Sequence, residues 1–127
     1  METPERRNQA ARVGAELEER TLEFATNIVA FTGSLPRTES AIVIGRQLLR
    51  AGTSIGANYR EANRAESRDD FAHKVAIAVK EAAETEYWLL LCGRVGLGAD
   101  KERLSLASET NELIAVLSTI LRRARQR

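Results

Sequence analysis

Apolar residues recur at alternating spacings of three and four along most of this chain, and this periodicity limits the fold more than any other feature. Residues with this spacing share one face of an α-helix, which must then be buried against other helices. The first run consists of Leu17, Phe24, Ile28 and Phe31, with Thr21 between them, and the last consists of Leu106, Leu113, Leu117 and Ile120, with Thr110 between them. Polar or glycine-containing breaks divide the pattern into four runs, and no segment alternates as a β-strand would. The sequence therefore predicts an all-α fold.

The predicted helices cover residues 13–32, 38–64, 67–93 and 100–123, with Thr38, Ser67 and Asp100 as N-terminal caps. Short connections favour consecutive helices that lie side by side and antiparallel. We therefore predict an antiparallel, up-down-up-down, left-handed four-helix bundle, formed by residues 13–127 as a single domain. Residues 1–12 are polar and carry nothing to pack, so we expect a disordered or frayed start.

The segment that joins the second and third helices, residues 54–71, reads SIGANYREANRAESRDDF. It contains no proline and no glycine after Gly56, so helix propensity alone would allow one helix from residue 39 to residue 91. Such a helix would extend roughly 80 Å with no partner along much of its length. Ser67 followed by Asp70 matches an N-terminal capping pattern, and we therefore predict a tight reversal near residues 63–67.

One polar residue, Asn58, lies on the otherwise apolar seam of the second helix. A polar side chain in such a position usually marks a hydrogen bond that fixes register or assembly. We expect a buried polar network, or a subunit contact, formed by Asn58, Glu61, Glu81 and Glu84. Arg60 and Arg64 are the expected partners of carboxylates, within the chain or across a subunit boundary. The alternative is that the same residues open onto a ligand pocket.

Three glycines, Gly45, Gly52 and Gly56, follow one stripe of the second helix. Each costs about 1 kcal/mol of helix propensity relative to alanine. The stripe predicts close approach of another backbone, although packing could also compensate for each glycine singly.

The chain has 19 Lys and Arg against 18 Asp and Glu, a formal net charge of +1. Any attraction to nucleic acid must therefore come from local clusters of arginine. The candidate nucleic-acid contacts are Arg60, Arg64, Arg122, Arg123, Arg125 and Arg127. The last four could instead complement the dipole at the end of the fourth helix.

Residues of the kind that carry catalysis are scarce. The one histidine, His73, could supply at most half of a metal site, and the one cysteine, Cys92, reads as a small core residue. Residues 93–98 read GRVGLG but follow a helix and lack the lysine of a phosphate loop. We predict no enzymatic activity, no metal, no cofactor and no small-molecule substrate.

The sequence contains neither an apolar run long enough to span a bilayer nor a secretory signal at its start. A single cysteine cannot form an internal disulfide. We therefore expect no membrane partner and a cytoplasmic location.

Residues 54–91 resemble the central signature of the bacterial four-helix bundle family named after the 23S rRNA intervening-sequence protein. That signature runs Ser-Ile-(Pro or Gly)-Ala-Asn, then an acidic residue, Ser-x-x-(Asp or Glu)-Phe, and a run ending Glu-Ala-x-Glu-x-x-Tyr-Trp-Leu. The matching residues are Ser54, Ile55, Ala57, Asn58, Glu61, Ser67, Asp70, Phe71, Lys80, Glu81, Ala82, Glu84, Tyr87, Trp88 and Leu89. Val79 replaces the usual leucine, and Glu86 stands where many relatives are apolar.

The resemblance implies an antiparallel four-helix bundle that assembles as a barrel-like homopentamer, with the polar residues of the hairpin near subunit contacts. The accessory protein of diversity-generating retroelements, which is similar in fold and pentameric, associates with a reverse transcriptase and its RNA. Members of the resembled family have no assigned catalytic activity. The location of their genes inside ribosomal RNA intervening sequences is the origin of the idea that they bind RNA.

Two functions therefore stand as hypotheses. The first is a non-catalytic homopentamer that binds RNA, or an enzyme that handles nucleic acid, through basic surfaces; its binding would weaken steeply with salt. The second is a structural adaptor for a protein partner with no nucleic-acid contact, for which apolar surface left exposed by the pentamer would be the sign.

Overall fold

A computed structural model describes residues 2–126 of the chain, and four α-helices account for most of them. α1 spans Pro4–Gly33, α2 Glu39–Ala62, α3 Arg68–Val95 and α4 Asp100–Arg125. None of the described residues lies in a β-strand. The predicted all-α four-helix fold is confirmed.

The four helices form a closed ring of neighbours in which α1 packs on α2, α2 on α3, α3 on α4 and α4 on α1. Two ion pairs show that α2 and α3 are antiparallel. Arg50 pairs with Glu81, whereas Glu61, which comes later in α2, pairs with Lys74, which comes earlier in α3. The seam between α1 and α4 is the loosest of the four. The left-handed sense of the bundle stays a prediction.

The caps of α2 and α3 are the predicted ones. The Thr38 hydroxyl accepts a hydrogen bond from the amide of Ala41 at 3.3 Å, and the Ser67 hydroxyl accepts one from the amide of Asp70 at 3.0 Å. α2 therefore ends at Ala62 and α3 begins at Arg68, which confirms the reversal between them.

The start of α4 differs from its prediction. Its cap residue is Ala99, whose side chain makes no capping bond, and Asp100 is the first residue inside the helix. The Asp100 carboxylate pairs with Arg103 at 3.2 Å instead. The prediction of an Asp100 cap was wrong by one position, and the acid acts in the first turn, where the helix dipole favours negative charge.

The start of α1 is also corrected. The helix begins at Pro4, although residues 1–12 were expected to be disordered or frayed. The Thr3 hydroxyl accepts from the amide of Arg6 at 3.2 Å, and Pro4 occupies the first turn, where a missing N–H costs nothing. Local capping thus starts the helix before any side chain is buried; Met1 lies outside the described residues.

The core of α1 and α4 uses only positions of the predicted seams. The buried residues there are Leu17, Thr21, Phe24, Ile28, Phe31, Leu106, Thr110, Leu113 and Leu117. The buried hydroxyls of Thr21 and Thr110 donate to carbonyl oxygens four residues earlier, at 2.9 and 2.7 Å. Their burial therefore leaves no hydroxyl without a partner.

Two glycines of the α2 stripe, Gly52 and Gly56, face α1, as the prediction of a close backbone approach requires. Gly45 instead faces Leu35 of the connecting segment. A Cβ at Gly52 would lie 2.8 Å from Cγ1 of Ile28, and one at Gly56 would lie 3.3 Å from the backbone carbon of Thr21. The two helices therefore approach more closely than alanine would allow.

Among residues 2–126, no helix combines the length and the apolar character that crossing a membrane requires.

Candidate nucleic-acid interface

One end of the bundle is formed by the start of α1, the end of α2, the start of α3 and the end of α4; we call it the hairpin end, after the reversal at residues 63–67. Five of the predicted contact arginines lie there and are exposed: Arg60, Arg64, Arg122, Arg123 and Arg125. The antiparallel fold thus brings together two groups that are far apart in sequence. The sixth, Arg127, lies outside the described residues.

The carboxyl end of α4 is capped by a residue of α3 that the sequence did not single out. The Arg68 guanidinium donates to the backbone oxygens of Ala124 at 2.9 Å, Gln126 at 2.7 Å and Arg123 at 3.3 Å. These carbonyl groups carry the negative end of the helix dipole. Because Arg68 already satisfies them, the arginine side chains of α4 itself are not needed for that purpose.

The side chains of Arg122, Arg123 and Arg125 form no ion pair or hydrogen bond with any residue between positions 2 and 126. Residues 114–126 contain no Asp or Glu, so no acid on the same helix end offsets their charge. The last turns of α4 therefore present concentrated positive charge to solvent.

The early start of α1 places three arginines that the sequence did not single out at the hairpin end, together with the acids Glu2 and Glu5. Arg6 and Arg123 line the same cavity of about 510 Å³, which is also bordered by Tyr59, Phe71 and Ile120. Arg7 and Arg12 are exposed on the same part of α1. The capping residues Thr3 and Pro4 were the signal that could have placed these arginines on a helix.

Arg60 and Arg64 pair with a carboxylate that the sequence did not identify, that of Glu18 on α1. Nη1 of Arg64 lies 3.3 Å from Oε2 of Glu18, and Nη1 of Arg60 lies 3.8 Å from Oε1. Nδ2 of Asn63 donates to Oε2 at 2.8 Å. Pairing with a carboxylate within the chain is therefore confirmed, and its partner is on the first helix.

The surroundings of Glu18 lower the pKa of its carboxyl group. The largest cause is the hydrogen bond from Asn63; partial burial acts in the opposite direction, and the positive charges of Arg64 and Arg60 lower the pKa further. Glu18 is therefore held in its charged form.

The structure does not unite the predicted polar network. Asn58 is half-buried, and its Nδ2 donates to the backbone oxygen of Ser54 at 2.8 Å, while Tyr59 takes the core position at this turn. Glu61 is exposed and pairs with Lys74 at 3.2 Å. The prediction of a buried network within the chain that contains Asn58 and Glu61 was therefore wrong, because Tyr59 and not Asn58 takes the core position. A contact of these residues with another subunit stays a prediction.

The other two members, Glu81 and Glu84, are brought together by Arg50 of α2. Nη1 of Arg50 lies 2.9 Å from Oε2 of Glu81, Nη2 pairs with Glu84, and the Trp88 indole donates to Glu84 at 3.3 Å. Burial alone would lower the pKa of Arg50, but the charges of Glu81 and Glu84 more than offset it and raise the pKa. This cluster links α2 to α3.

The two residues considered for metal or nucleophilic chemistry lie apart. Cys92 is fully buried, and burial raises the pKa of its thiol, as expected for a core residue. His73 is exposed on α3. Among residues 2–126, no group of three His, Cys, Asp or Glu side chains is placed to hold a metal ion.

The fold and the hairpin end together define a four-helix bundle with an arginine-rich end. Residues 15–119 match the family described as 23S rRNA-intervening sequence protein, and the chain belongs to that family. The resemblance noted over residues 54–91 is thereby confirmed and extended to all four helices.

A solved structure similar to this chain is that of a protein with unknown function from the S23 ribosomal protein family of Bacteroides thetaiotaomicron VPI-5482. It is 42% identical in sequence, and the similarity covers 82% of this chain and 96% of that chain, with a TM-score of 0.77. No curated protein sequence matches the chain.

Proposed function

We propose that this protein is a non-catalytic homopentamer that binds RNA through its hairpin end. One observation carries the proposal: Arg60, Arg64, Arg122, Arg123 and Arg125 converge at one end of the bundle although the chain as a whole is nearly neutral. Affinity for RNA depends on local phosphate contacts, so a concentrated arginine surface is what such binding requires.

Assembly would strengthen this surface. A ring of five parallel chains would repeat the hairpin end five times around one axis, so that five arginine-rich ends act on a single RNA strand. The pentamer itself comes from the family resemblance. Exposed apolar side chains offer a contact for it, in two pairs seven residues apart that each follow one helix face. We call these four residues the apolar strip: Leu22 and Val29 on α1, Ile42 and Leu49 on α2.

The experiment is a salt titration of RNA binding, followed by fluorescence anisotropy with a short labelled single-stranded RNA. The variant replaces Arg122, Arg123 and Arg125 with glutamine. We expect weaker binding and a log–log salt dependence that is shallower by roughly 2 per bound chain, because each lost phosphate contact removes about 0.7 from the slope.

A matched control removes the same amount of charge from the opposite end of the bundle. Arg37 precedes α2, Arg46 lies near its start and Arg94 lies near the end of α3. Replacing these three with glutamine should leave affinity and slope close to those of the wild type. Equal losses in both triple variants, or no binding by the wild type at low salt, would contradict the proposal.

The adaptor function remains the second candidate, and the apolar strip on α1 and α2 is the observation that favours it. Leu22 and Val29 are each exposed by more than half of their surface. If the strip stays exposed in the assembled protein, it is the surface on which a protein partner would dock. A pentamer that buries the strip would remove this candidate.

A further inference from the structure

A cavity of about 560 Å³ lies between the first half of α1 and the end of α2. Its α1 wall combines four small residues with two acids and a leucine, and its wall at the end of α2 carries Arg60, Asn63 and Arg64; the α1 residues are Ala10, Ala11, Gly14, Ala15, Glu18, Glu19 and Leu22. The cavity therefore brings two arginines at the end of α2 together with two carboxylates of α1. It is large enough to admit a phosphate group.

Glu18 satisfies the guanidinium donors of this cavity only in part, and Nη1 of Arg64 also donates to the backbone oxygen of Arg60 at 2.9 Å. Two guanidinium groups share its single carboxylate at 3.3 and 3.8 Å, distances longer than the roughly 2.7–2.9 Å of a good charge-assisted hydrogen bond. The contrast is Arg20 on the other side of α1, which holds Glu109 with two bonds of 2.7 Å. The Arg60 and Arg64 side chains also remain more than half exposed.

We propose that the Glu18 carboxylate occupies, in the free protein, the position that an RNA phosphate group takes when RNA binds between Arg60 and Arg64. The inference rests on the proposed function and adds to it a competitor within the chain. The Glu18 carboxylate pairs with Arg60 and Arg64 until RNA displaces it. A phosphate group suits the site because its oxygens accept bidentate bonds from guanidinium groups.

The wall of the cavity leaves room for Glu18 to move. A helical side chain lies over the turn that precedes it, and here that turn contains Gly14 and Ala15. Neither residue has a side chain beyond Cβ that would block a change of rotamer. Asn63, which lies within 3.5 Å of a Cβ placed on Gly14, stays in the cavity as a neutral donor for either anion.

The test compares Glu18→Gln with Glu16→Gln in the same RNA titration. Both variants remove one negative charge from α1, but Glu16 faces the seam with α4, where it lines a cavity with Arg20 and Glu109. We expect Glu18→Gln to bind RNA roughly two- to fivefold more tightly than the wild type, because one competing ion pair is removed. Glu16→Gln should gain less. Glutamine at position 18 keeps a side-chain oxygen that can accept the hydrogen bond from Asn63. Thermal unfolding of both variants checks that they are folded.

Equal gains in the two variants would show that the loss of any negative charge on α1 has the same effect, which would overturn the inference. Unchanged or weaker RNA binding by Glu18→Gln would also overturn it. A second experiment tests the inference separately from the proposed function. Inorganic pyrophosphate is titrated into the protein, and NMR follows the side-chain amide of Asn63. Shifts that are larger in Glu18→Gln than in the wild type, and lost in Arg64→Gln, would support the phosphate position even if RNA does not bind. No shift in Glu18→Gln would overturn the inference whatever RNA does.

Discussion

Single residues decide how closely α1 and α2 can pack. Gly52 faces Ile28, a side chain with no exposed surface, so the space for a Cβ at position 52 is already filled. Gly56 stands in the same relation to Thr21. The helix propensity lost at these positions is offset by the burial of the facing residues.

We expect Gly52→Ala to lower the free energy of unfolding by about 1–2 kcal/mol. The new Cβ would lie 2.8 and 2.9 Å from Cγ1 and Cγ2 of Ile28, and overpacking of this kind costs about 1–3 kcal/mol, against a gain of up to about 1 kcal/mol in helix propensity. Chemical denaturation measures the change. Gly33→Ala is the control, because apart from its own helix backbone and chain neighbours nothing lies within 4 Å of the added Cβ. Equal stability of the two variants would refute the close approach.

For single residues, the sequence predicts which side chains are buried better than it predicts which side chains pair with each other. The periodicity identified the buried residues of α1 and α4, because a helical seam is a local property of the chain. The same periodicity predicted Asn58 as the buried position, whereas the structure buries Tyr59, because both residues fit a spacing of three or four. Glu18 could not be found as the partner of Arg60 and Arg64, because an ion pair between distant segments leaves no local signal.

Among the elements, the end of α4 depends on α3. Arg68 is the first residue of α3, and it donates to two backbone oxygens of the last turn of α4 and to that of the C-cap residue Gln126. A cation at the carboxyl end of a helix also lowers the energy of the helix dipole. The cap therefore fixes the segment that presents the arginines of α4.

We expect Arg68→Gln to fray the last turn of α4, at a cost of about 1 kcal/mol, because charge-assisted bonds to the terminal carbonyl groups are lost. Amide hydrogen exchange of residues 122–126 should become faster while the middle of α4 is unchanged. Arg122→Gln removes the same charge without removing a bond to residues 2–126, and should leave the exchange as it is. Equal exchange in both variants would show that Arg68 is not the cap.

The starts of the helices could be predicted where a capping residue precedes an apolar seam, as at Thr38 and Ser67. The start of α1 was missed because Thr3 and Pro4 precede residues that are all exposed, so the cap had no periodic pattern to confirm it. For α4, alanine at the cap position left only the neighbouring acid as a signal.

For the whole molecule, the order of helices determines where charge accumulates. An up-down-up-down bundle places two chain ends and one reversal at the same end. Within residues 2–126, those segments carry five arginines whose side chains form no ion pair or hydrogen bond: Arg6, Arg12, Arg122, Arg123 and Arg125. The fold could be predicted from the sequence, and so could the candidate arginines of α2 and α4, but not those at the start of α1. The clustering of Arg6 and Arg123 around one cavity required the three-dimensional arrangement.

Native mass spectrometry with and without a short single-stranded RNA tests the central claim most directly, and Asn58→Leu serves as its companion variant. Asn58 bonds only to Ser54 of its own helix among residues 2–126, so its replacement reports on assembly more than on the fold of one chain. We predict a wild-type mass of five chains of 14.1 kDa that retains RNA, and a disturbed assembly in Asn58→Leu. A wild-type monomer that carries no RNA would contradict the account.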